Sequence, residues 1–193
     1  MAPSPPVLSA NTIATSWNVV VTLPENTFRD ACRLLGRWGR VKRTHFYNVL
    51  VMQVANPDAF RRDFAAAVAE SPGLLNIVSH AVPAQHTFDF HTREEFERAV
   101  DDIARAWLPR LAGASFHVRL HRRGGKNLLS SQPQERRLDD ILLRSLAAAG
   151  MPGRITFDDP DYVIAIETVD GRAGVSLWSR EDRRSCPFLG AQD

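Results

Sequence analysis

The N-terminal half of the chain alternates between short apolar runs and stretches with helical periodicity. The runs are rich in β-branched or aromatic residues and predict strands. The four predicted strands cover residues 17–23, 46–54, 77–80 and 85–90. We expect one helix after residue 26 and a second from Asn56, because Pro57 then falls in the first turn, where its missing N–H costs nothing. The order of these elements resembles two successive β-α-β units, which predicts a ferredoxin-like α+β unit over residues 15–80.

The C-terminal half begins with the clearest helix signal of the chain. Thr92 and Glu95 have the spacing of a capping box. An apolar stripe at helical spacing follows and consists of Phe96, Ala99, Val100, Ile103 and Trp107. The run at 162–169 predicts a strand covered on both faces, and Asp170-Gly171 predicts a two-residue hairpin turn into 172–178. We therefore expect a second α/β unit over residues 81–185.

Composition narrows the class of protein. The chain has 193 residues, of which 44% are apolar, and no apolar run approaches the ~20 residues that span a bilayer. The start lacks a charged region followed by an apolar one, so residues 1–14 are expected to be a disordered tail. Residues 186–193 are expected to be a C-terminal tail. The two cysteines lie far apart and form no C-x-x-C motif, which favours a reducing cytoplasm.

The net charge of +2 hides a strongly basic segment at residues 116–131, which contains four cations and no acid. Apolar and polar residues alternate from 116 to 121, as in a strand with one buried face. The following Gly124-Gly125 pair allows positive φ and a close approach to a phosphate. Ser131 and Gln134 have capping-box spacing and predict a helix start. The candidate polyanion contacts are Arg119, His121, Arg122, Arg123, Gly124, Gly125, Lys126 and Ser131.

Two further groups extend the candidate surface. Arg136 and Arg137, one turn into the predicted helix, either continue the basic track or form its solvated face. A second basic group recurs along the first helix and its exit, where a solvated helix face is the alternative. Its members are Arg29, Arg33, Arg37, Arg40, Lys42 and Arg43. Trp38 lies between glycines and arginines, so it is the tryptophan that we expect to stack on RNA or to contact a partner.

The sequence gives little support for a catalytic site or a metal-binding site. His117 and His121 would share a strand face but lie ~13 Å apart at ~3.3 Å per residue, too far for one metal. The Gly124–Lys126 run lacks the rest of a phosphate-binding P-loop, and Ser130-Ser131 lacks a nucleophile elbow. We therefore expect no metal, no cofactor and no small-molecule substrate. A small hydrolase or transferase that uses either histidine is the enzyme alternative.

The segments FHVRLHRRG and DDPDYVIAIETVDGRAGVSLW, with Ser130-Ser131 between them, resemble the THUMP domain, an RNA-binding module of tRNA-modifying proteins. The resemblance covers about residues 81–180, and the preceding unit is similar to the domain that accompanies THUMP on its N-terminal side. It implies an α/β domain with a mixed sheet whose arginine-rich loop contacts tRNA.

The resemblance also implies a partner. THUMP domains are fused to methyltransferase, thiolation or deaminase domains, or stand alone as adaptors that present tRNA to a cytidine acetyltransferase. Because the chain ends at Asp193, we expect no catalytic domain and a non-enzymatic adaptor that contacts the acceptor stem or 3′ end. The family's acidic or lysine-rich extensions are missing. The alternative is an obligate RNA-binding subunit of a tRNA methyltransferase or thiolation complex.

Overall fold

The computed structural model describes residues 16–190, which form two β-sheets with helices packed on them. The tail expected at residues 1–14 lies outside the described residues. The architecture is α+β, as predicted, and each sheet is built from a contiguous part of the chain. None of the helices among residues 16–190 is long and apolar enough to cross a membrane.

The first sheet has four antiparallel strands and two helices, connected in the order β-α-β-β-α-β. The elements are β1 (Val19–Thr22), α1 (Phe28–Leu35), β2 (Gly39–Arg43), β3 (Val49–Val54), α2 (Pro57–Glu70), a 3-10 helix (Pro72–Asn76) and β4 (His80–Pro83). The strands lie side by side in the order β2-β3-β1-β4. The helix start predicted at Asn56 is confirmed, since its side chain accepts a hydrogen bond from the Ala59 amide at 2.9 Å.

The second sheet is mixed, as the resemblance implied. Its elements are β5 (His86–Asp89), α3 (Arg93–Arg105), α4 (Leu108–Leu111), β6 (Ser115–Arg123), α5 (Ser131–Ala148), β7 (Arg154–Ile155), β8 (Tyr162–Val169), β9 (Arg172–Ser179), α6 (Arg180–Ser185) and a 3-10 helix (Pro187–Leu189). The strand order is β5-β9-β8-β6-β7, with β6 parallel to β7 and β8. The predicted capping box is confirmed: Glu95 donates its amide to Thr92 Oγ1 at 3.1 Å, and its carboxylate accepts from the Thr92 amide at 3.3 Å.

The two ends of the second unit differ from the sequence expectation. Residues 81–83 belong to β4 of the first sheet, so a boundary after residue 80 would cut a strand. The segment expected to be a tail from residue 186 is instead packed: Cys186, Phe188 and Leu189 are buried in the core of the first unit. The Phe188 ring lies 4.8 Å from the Phe64 ring of α2. The apolar side chains of this segment pack in a core that is formed mainly by the other half of the chain.

Candidate nucleic-acid interface

The basic strand β6 has one buried face and one mixed face. Phe116, Val118 and Leu120 are buried against the helices, as the alternation predicted. On the opposite face His117 is also buried, contrary to the expectation of a solvated side chain. Its Nδ1 lies 2.9 Å from the Thr156 carbonyl oxygen, and burial lowers the pKa of the imidazole. Arg119, two residues further on, is half-exposed.

The end of β6 is fixed by the buried carboxylate of Glu167 on β8. His121 Nδ1 lies 2.9 Å from Glu167 Oε1, and Arg123 donates to Glu167 Oε2. Arg123 also donates to Thr22 Oγ1 at 3.2 Å, at the end of β1. The sequence grouped Arg123 and His121 with the polyanion contacts, but in the structure both side chains contact the Glu167 carboxylate. The additional contact of Arg123 with Thr22 joins the two sheets.

The basic loop, residues 122–126, turns away from the strand through two glycines with positive φ, 84° at Gly124 and 60° at Gly125. Arg122 is half-buried and its Nη1 donates to the Gly124 carbonyl at 2.6 Å, whereas Lys126 is exposed. A Cβ at Gly124 would lie 2.9 Å from Asp170 Oδ1 and 3.1 Å from Phe46 Cζ. The loop therefore fits tightly between the β8-β9 turn and the turn that joins β2 to β3.

Helix α5 follows the basic loop after a short connection and begins at Ser131, with Ser130 as the N-cap residue. The capping box predicted from Ser131 and Gln134 is wrong, because Gln134 is buried and its amide donates to Glu97 on α3. Because α5 begins shortly after the basic loop, the positive end of its macrodipole lies next to that loop. The segment between the basic loop and α5 is anchored by the buried side chain of Leu129 and by the Arg93 guanidinium, which donates to the Leu128 carbonyl.

The two arginines in the first turns of α5 have different environments. Arg136 is exposed. Arg137 donates to both carboxylate oxygens of Asp101 on α3, at 2.7 and 3.0 Å. Arg136 can therefore extend the basic track, whereas Arg137 fastens α5 to α3.

Two carboxylates of helix α5 accept hydrogen bonds from the backbone at the open edge of β6. Beyond Phe116, β7 no longer pairs with β6, so the next outward N–H groups need other acceptors. The Val118 amide donates to Asp139 Oδ1 at 3.0 Å, and the Leu120 amide donates to Glu135 Oε1 at 2.7 Å. Burial raises the pKa of Asp139 to about 7, above its ordinary value of 3.8. These two carboxylates face β6, whereas the Arg136 side chain on the same helix is exposed.

The second basic group also approaches the basic loop. The sequence grouped Arg40 and Lys42 with the basic residues of the first helix and its exit, and both lie on the edge strand β2. Lys42 lines a cavity of about 460 Å³ between β2 and the β8-β9 turn, together with His45 and Arg172. His45 Nε2 lies 3.6 Å from Asp170 Oδ1, the carboxylate that also faces Gly124. This cavity, the junction cleft, is thus next to the basic loop.

Trp38 does not belong to this surface. Its ring contacts Phe60 and Phe64 of α2 edge-on, with centroids 6.0 and 5.6 Å away. The indole packs on the apolar surface of α2 and is partly buried, so the predicted contact with RNA or a partner would use only the remaining exposed part of the ring.

Several residues of the surface were not singled out from the sequence. Arg172 bridges the two units: its Nε donates to the Trp17 carbonyl at 3.1 Å and its Nη1 to Asp89 at 2.8 Å. Tyr47 projects from the β2-β3 turn with 77% of its surface exposed. Asn48 has a positive φ and is the last residue of that turn before β3. An asparagine ahead of a valine run is the sequence signal that could have located the turn. Among residues 16–190, no group of three or more His, Cys, Asp or Glu side chains is placed to hold a metal ion.

Comparisons with known proteins identify the fold. No protein-family model matches the chain, and neither does any curated protein. Solved structures do match. PH1313 from Pyrococcus horikoshii has a TM-score of 0.53 and 15% identity, over 85% of this chain and 55% of its own. TrmN from Thermus thermophilus has a TM-score of 0.52 and 22% identity, over 83% of this chain and 44% of its own.

A third structure was solved with a nucleic acid. It is a 4-thiouridine synthetase in a complex with RNA and bound ATP, with a TM-score of 0.50 and 12% identity, over 84% of this chain and 41% of the synthetase. The chain thus spans about half the length of these proteins or less. At these identities the likeness establishes the fold, which is shared across both sheets of the chain.

Proposed function

We propose that this protein is a non-catalytic tRNA-binding adaptor that presents the acceptor stem or 3′ end of tRNA to a separate RNA-modifying enzyme. The observation that carries the proposal is the position of the basic loop. It lies at the end of β6, between the positive end of α5 and the junction cleft, with Lys126 exposed at its tip and Arg136 exposed beside it. Arg119 and Arg122 are half-exposed along the same strand.

A surface of this kind suits the backbone of double-stranded RNA. Lysine and arginine bind phosphates mainly by releasing counterions, with no need for base contacts. A-form RNA is recognised chiefly through its shape and its phosphates. We therefore expect an affinity that falls steeply with salt and depends little on sequence. Arg123 and Arg137 are left out of the proposed contacts, because their guanidinium groups are engaged by Glu167 and Asp101.

The fold supports this assignment. We infer that residues 84–180 form a THUMP-type domain and that the preceding β-α-β-β-α-β unit, with strand order β2-β3-β1-β4, is ferredoxin-like. The likeness to a 4-thiouridine synthetase that was solved with RNA favours RNA as the ligand. Because the likeness extends over both sheets, we expect the two units to act on RNA together.

The enzyme partner is proposed from the family that the sequence resembles, because that family includes stand-alone adaptors of a tRNA cytidine acetyltransferase. The second candidate is an obligate RNA-binding subunit of a thiolation or methyltransferase complex, and the similarity to a synthetase of 4-thiouridine favours it. Mass spectrometry of tRNA nucleosides from cells that lack the protein separates the two. Loss of acetylcytidine supports the first candidate, and loss of a thiolated or methylated nucleoside supports the second. An unchanged set of nucleosides would overturn both.

RNA binding itself is tested by replacing two exposed cations, Lys126→Ala with Arg136→Ala. Both side chains are exposed, so the variant should fold. We expect weaker tRNA binding and a salt slope lower by about 1.5, since each lost phosphate contact removes about 0.7 to 0.9. The matched control is Arg62→Ala with Arg144→Ala, which removes the same charge from exposed positions on α2 and late in α5. Equal tRNA affinity and slope in the two variants would refute the assignment, as would a wild-type chain that does not bind tRNA.

A further inference from the structure

The first unit carries an open groove that the proposed backbone contacts do not use. We call it the aromatic groove. It has a volume of about 650 Å³ and lies between the start of α1 and the β2-β3 turn. The side chains that matter for its chemistry are Phe28, Arg29, Arg33, Arg43 and Tyr47.

The groove exposes aromatic surface that the fold could have buried. Tyr47 is 77% exposed and Phe28 is 38% exposed, although Phe28 begins the helix whose Ala31 and Leu35 are fully buried. The Arg43 guanidinium carbon lies 5.1 Å from the centre of the Phe28 ring, in a cation–π arrangement. An exposed ring next to a ring covered by a guanidinium offers flat surfaces on which another planar group can stack.

The charge of the groove is positive. Three arginines line it against one carboxylate, Asp30, and that carboxylate lies 3.8 Å from Arg33 in a highly exposed pair. Exposed pairs of this kind contribute little, so both side chains can move to meet a ligand. A ligand with planar groups and regularly spaced negative charges fits this combination.

The aromatic groove adjoins the basic loop through a well-defined turn. Thr44 Oγ1 donates to the Val49 carbonyl at 2.8 Å and accepts from the Phe46 amide at 3.1 Å, which fixes the turn that carries Tyr47. The Phe46 ring packs on His45 at 4.0 Å and faces Gly124 of the loop. The β2-β3 turn therefore contacts the basic loop through Phe46 and lines the aromatic groove with the same residue and Tyr47.

From this geometry we propose that the aromatic groove binds unpaired nucleotides of the RNA whose backbone the basic loop holds. One base stacks on Tyr47, and Arg29, Arg33 and Arg43 hold the flanking phosphates. Sites for single-stranded nucleic acid combine a basic groove with stacking aromatic side chains in this way. The inference rests on the proposed RNA-binding function and deepens it, because it assigns unpaired nucleotides to a surface separate from the basic loop.

The test uses two RNAs and the full-length protein. One is a blunt hairpin with a stem of the length of an acceptor stem, and the other is the same hairpin with an unpaired four-nucleotide 3′ tail. The wild-type chain is expected to bind the tailed hairpin more tightly. Tyr47→Ala should weaken binding of the tailed hairpin by roughly tenfold, the value of one stacked base, and leave the blunt hairpin unaffected. Tyr47→Phe, which keeps the ring, should restore the affinity.

The outcomes separate this inference from the function on which it rests. Equal binding of the tailed hairpin by wild type and Tyr47→Ala, with blunt hairpin still bound, would overturn the groove and leave the adaptor standing. The same holds if the tail adds no affinity, or if Tyr47→Ala weakens both RNAs equally. Failure of the wild-type chain to bind either hairpin or tRNA would overturn both. Arg29→Ala with Arg33→Ala should lower the salt slope for the tailed hairpin alone, which checks the phosphate contacts independently.

Discussion

Arg123 pairs with the buried carboxylate of Glu167 where the parallel strands β6 and β8 end, and the same guanidinium reaches Thr22 in the first sheet. The Glu167 side chain is 5% exposed and that of Arg123 is 18% exposed. An arginine that the sequence grouped with RNA contacts thus serves to hold the carboxylate and join the two units.

Arg123→Ala is expected to destabilise the protein by about 3 to 5 kcal/mol, because it leaves a buried carboxylate without its main partner. Urea denaturation followed by circular dichroism measures the change. Arg123→Ala combined with Glu167→Gln should recover part of the loss, since the uncompensated charge is removed. If the single variant unfolds at the same urea concentration as wild type, the pair has no structural role and Arg123 returns to the list of RNA contacts.

The glycines of the basic loop provide a second, internally controlled prediction. Both have positive φ, but a Cβ at Gly124 would approach Asp170 and Phe46, whereas a Cβ at Gly125 would meet nothing within 4 Å. Gly125→Ala should cost only the conformational penalty of about 1 to 2 kcal/mol. Gly124→Ala should cost more, because a turn must also shift. Thermal unfolding of the two variants gives the comparison, and equal losses would mean that the loop does not pack between the two turns.

The sequence predicted the second unit well because its signals are local. The Thr92 and Glu95 box and the alternation of β6 each lie within a few residues. The edge strand β2 was missed because Gly39 suggested a break. In the structure a Cβ at Gly39 would lie 2.4 Å from the Gln53 carbonyl oxygen, so this glycine allows close strand pairing. A strand with one apolar residue, Val41, gives no alternation to detect.

The candidate site was predicted in part. The positive φ of Gly124 and Gly125 and the exposure of Lys126 and Arg136 agree with the sequence analysis. The roles of Arg123 and Arg137 could not be predicted, because their partners lie 44 and 36 residues away and meet them only through strand pairing and helix packing. Charge runs reveal where cations are, and only the fold determines which cations are already paired.

The packed C-terminal segment leads to a third prediction. Phe188 is fully buried against Phe64, in the core of the unit formed by the other end of the chain. Phe188→Ala should lower the free energy of unfolding by about 3 to 5 kcal/mol, the usual cost of truncating a buried phenylalanine. The same urea titration measures it. Phe157→Ala is the control, since that ring is 73% exposed and should change stability little. Similar small losses in both variants would show that the segment is a tail after all.

Asp139 makes the stability of the protein depend on pH with a sign that can be worked out. Its folded pKa of about 7 lies above the ordinary value of 3.8, so the folded state binds the proton more tightly than the unfolded state. The resulting stabilisation is fully present below pH ~4 and is lost as the pH rises through ~7.

Asp139→Asn should remove this dependence while keeping an oxygen that accepts the Val118 amide. Between pH 5 and pH 8 the free energy of unfolding of the wild type should fall by on the order of 2 kcal/mol more than that of the variant, because the asparagine has no proton to lose. Urea denaturation of both proteins at the two pH values gives the difference, in which the other titrating groups cancel. A difference that stays constant with pH would mean that Asp139 ionises normally and that the edge of β6 is open to water.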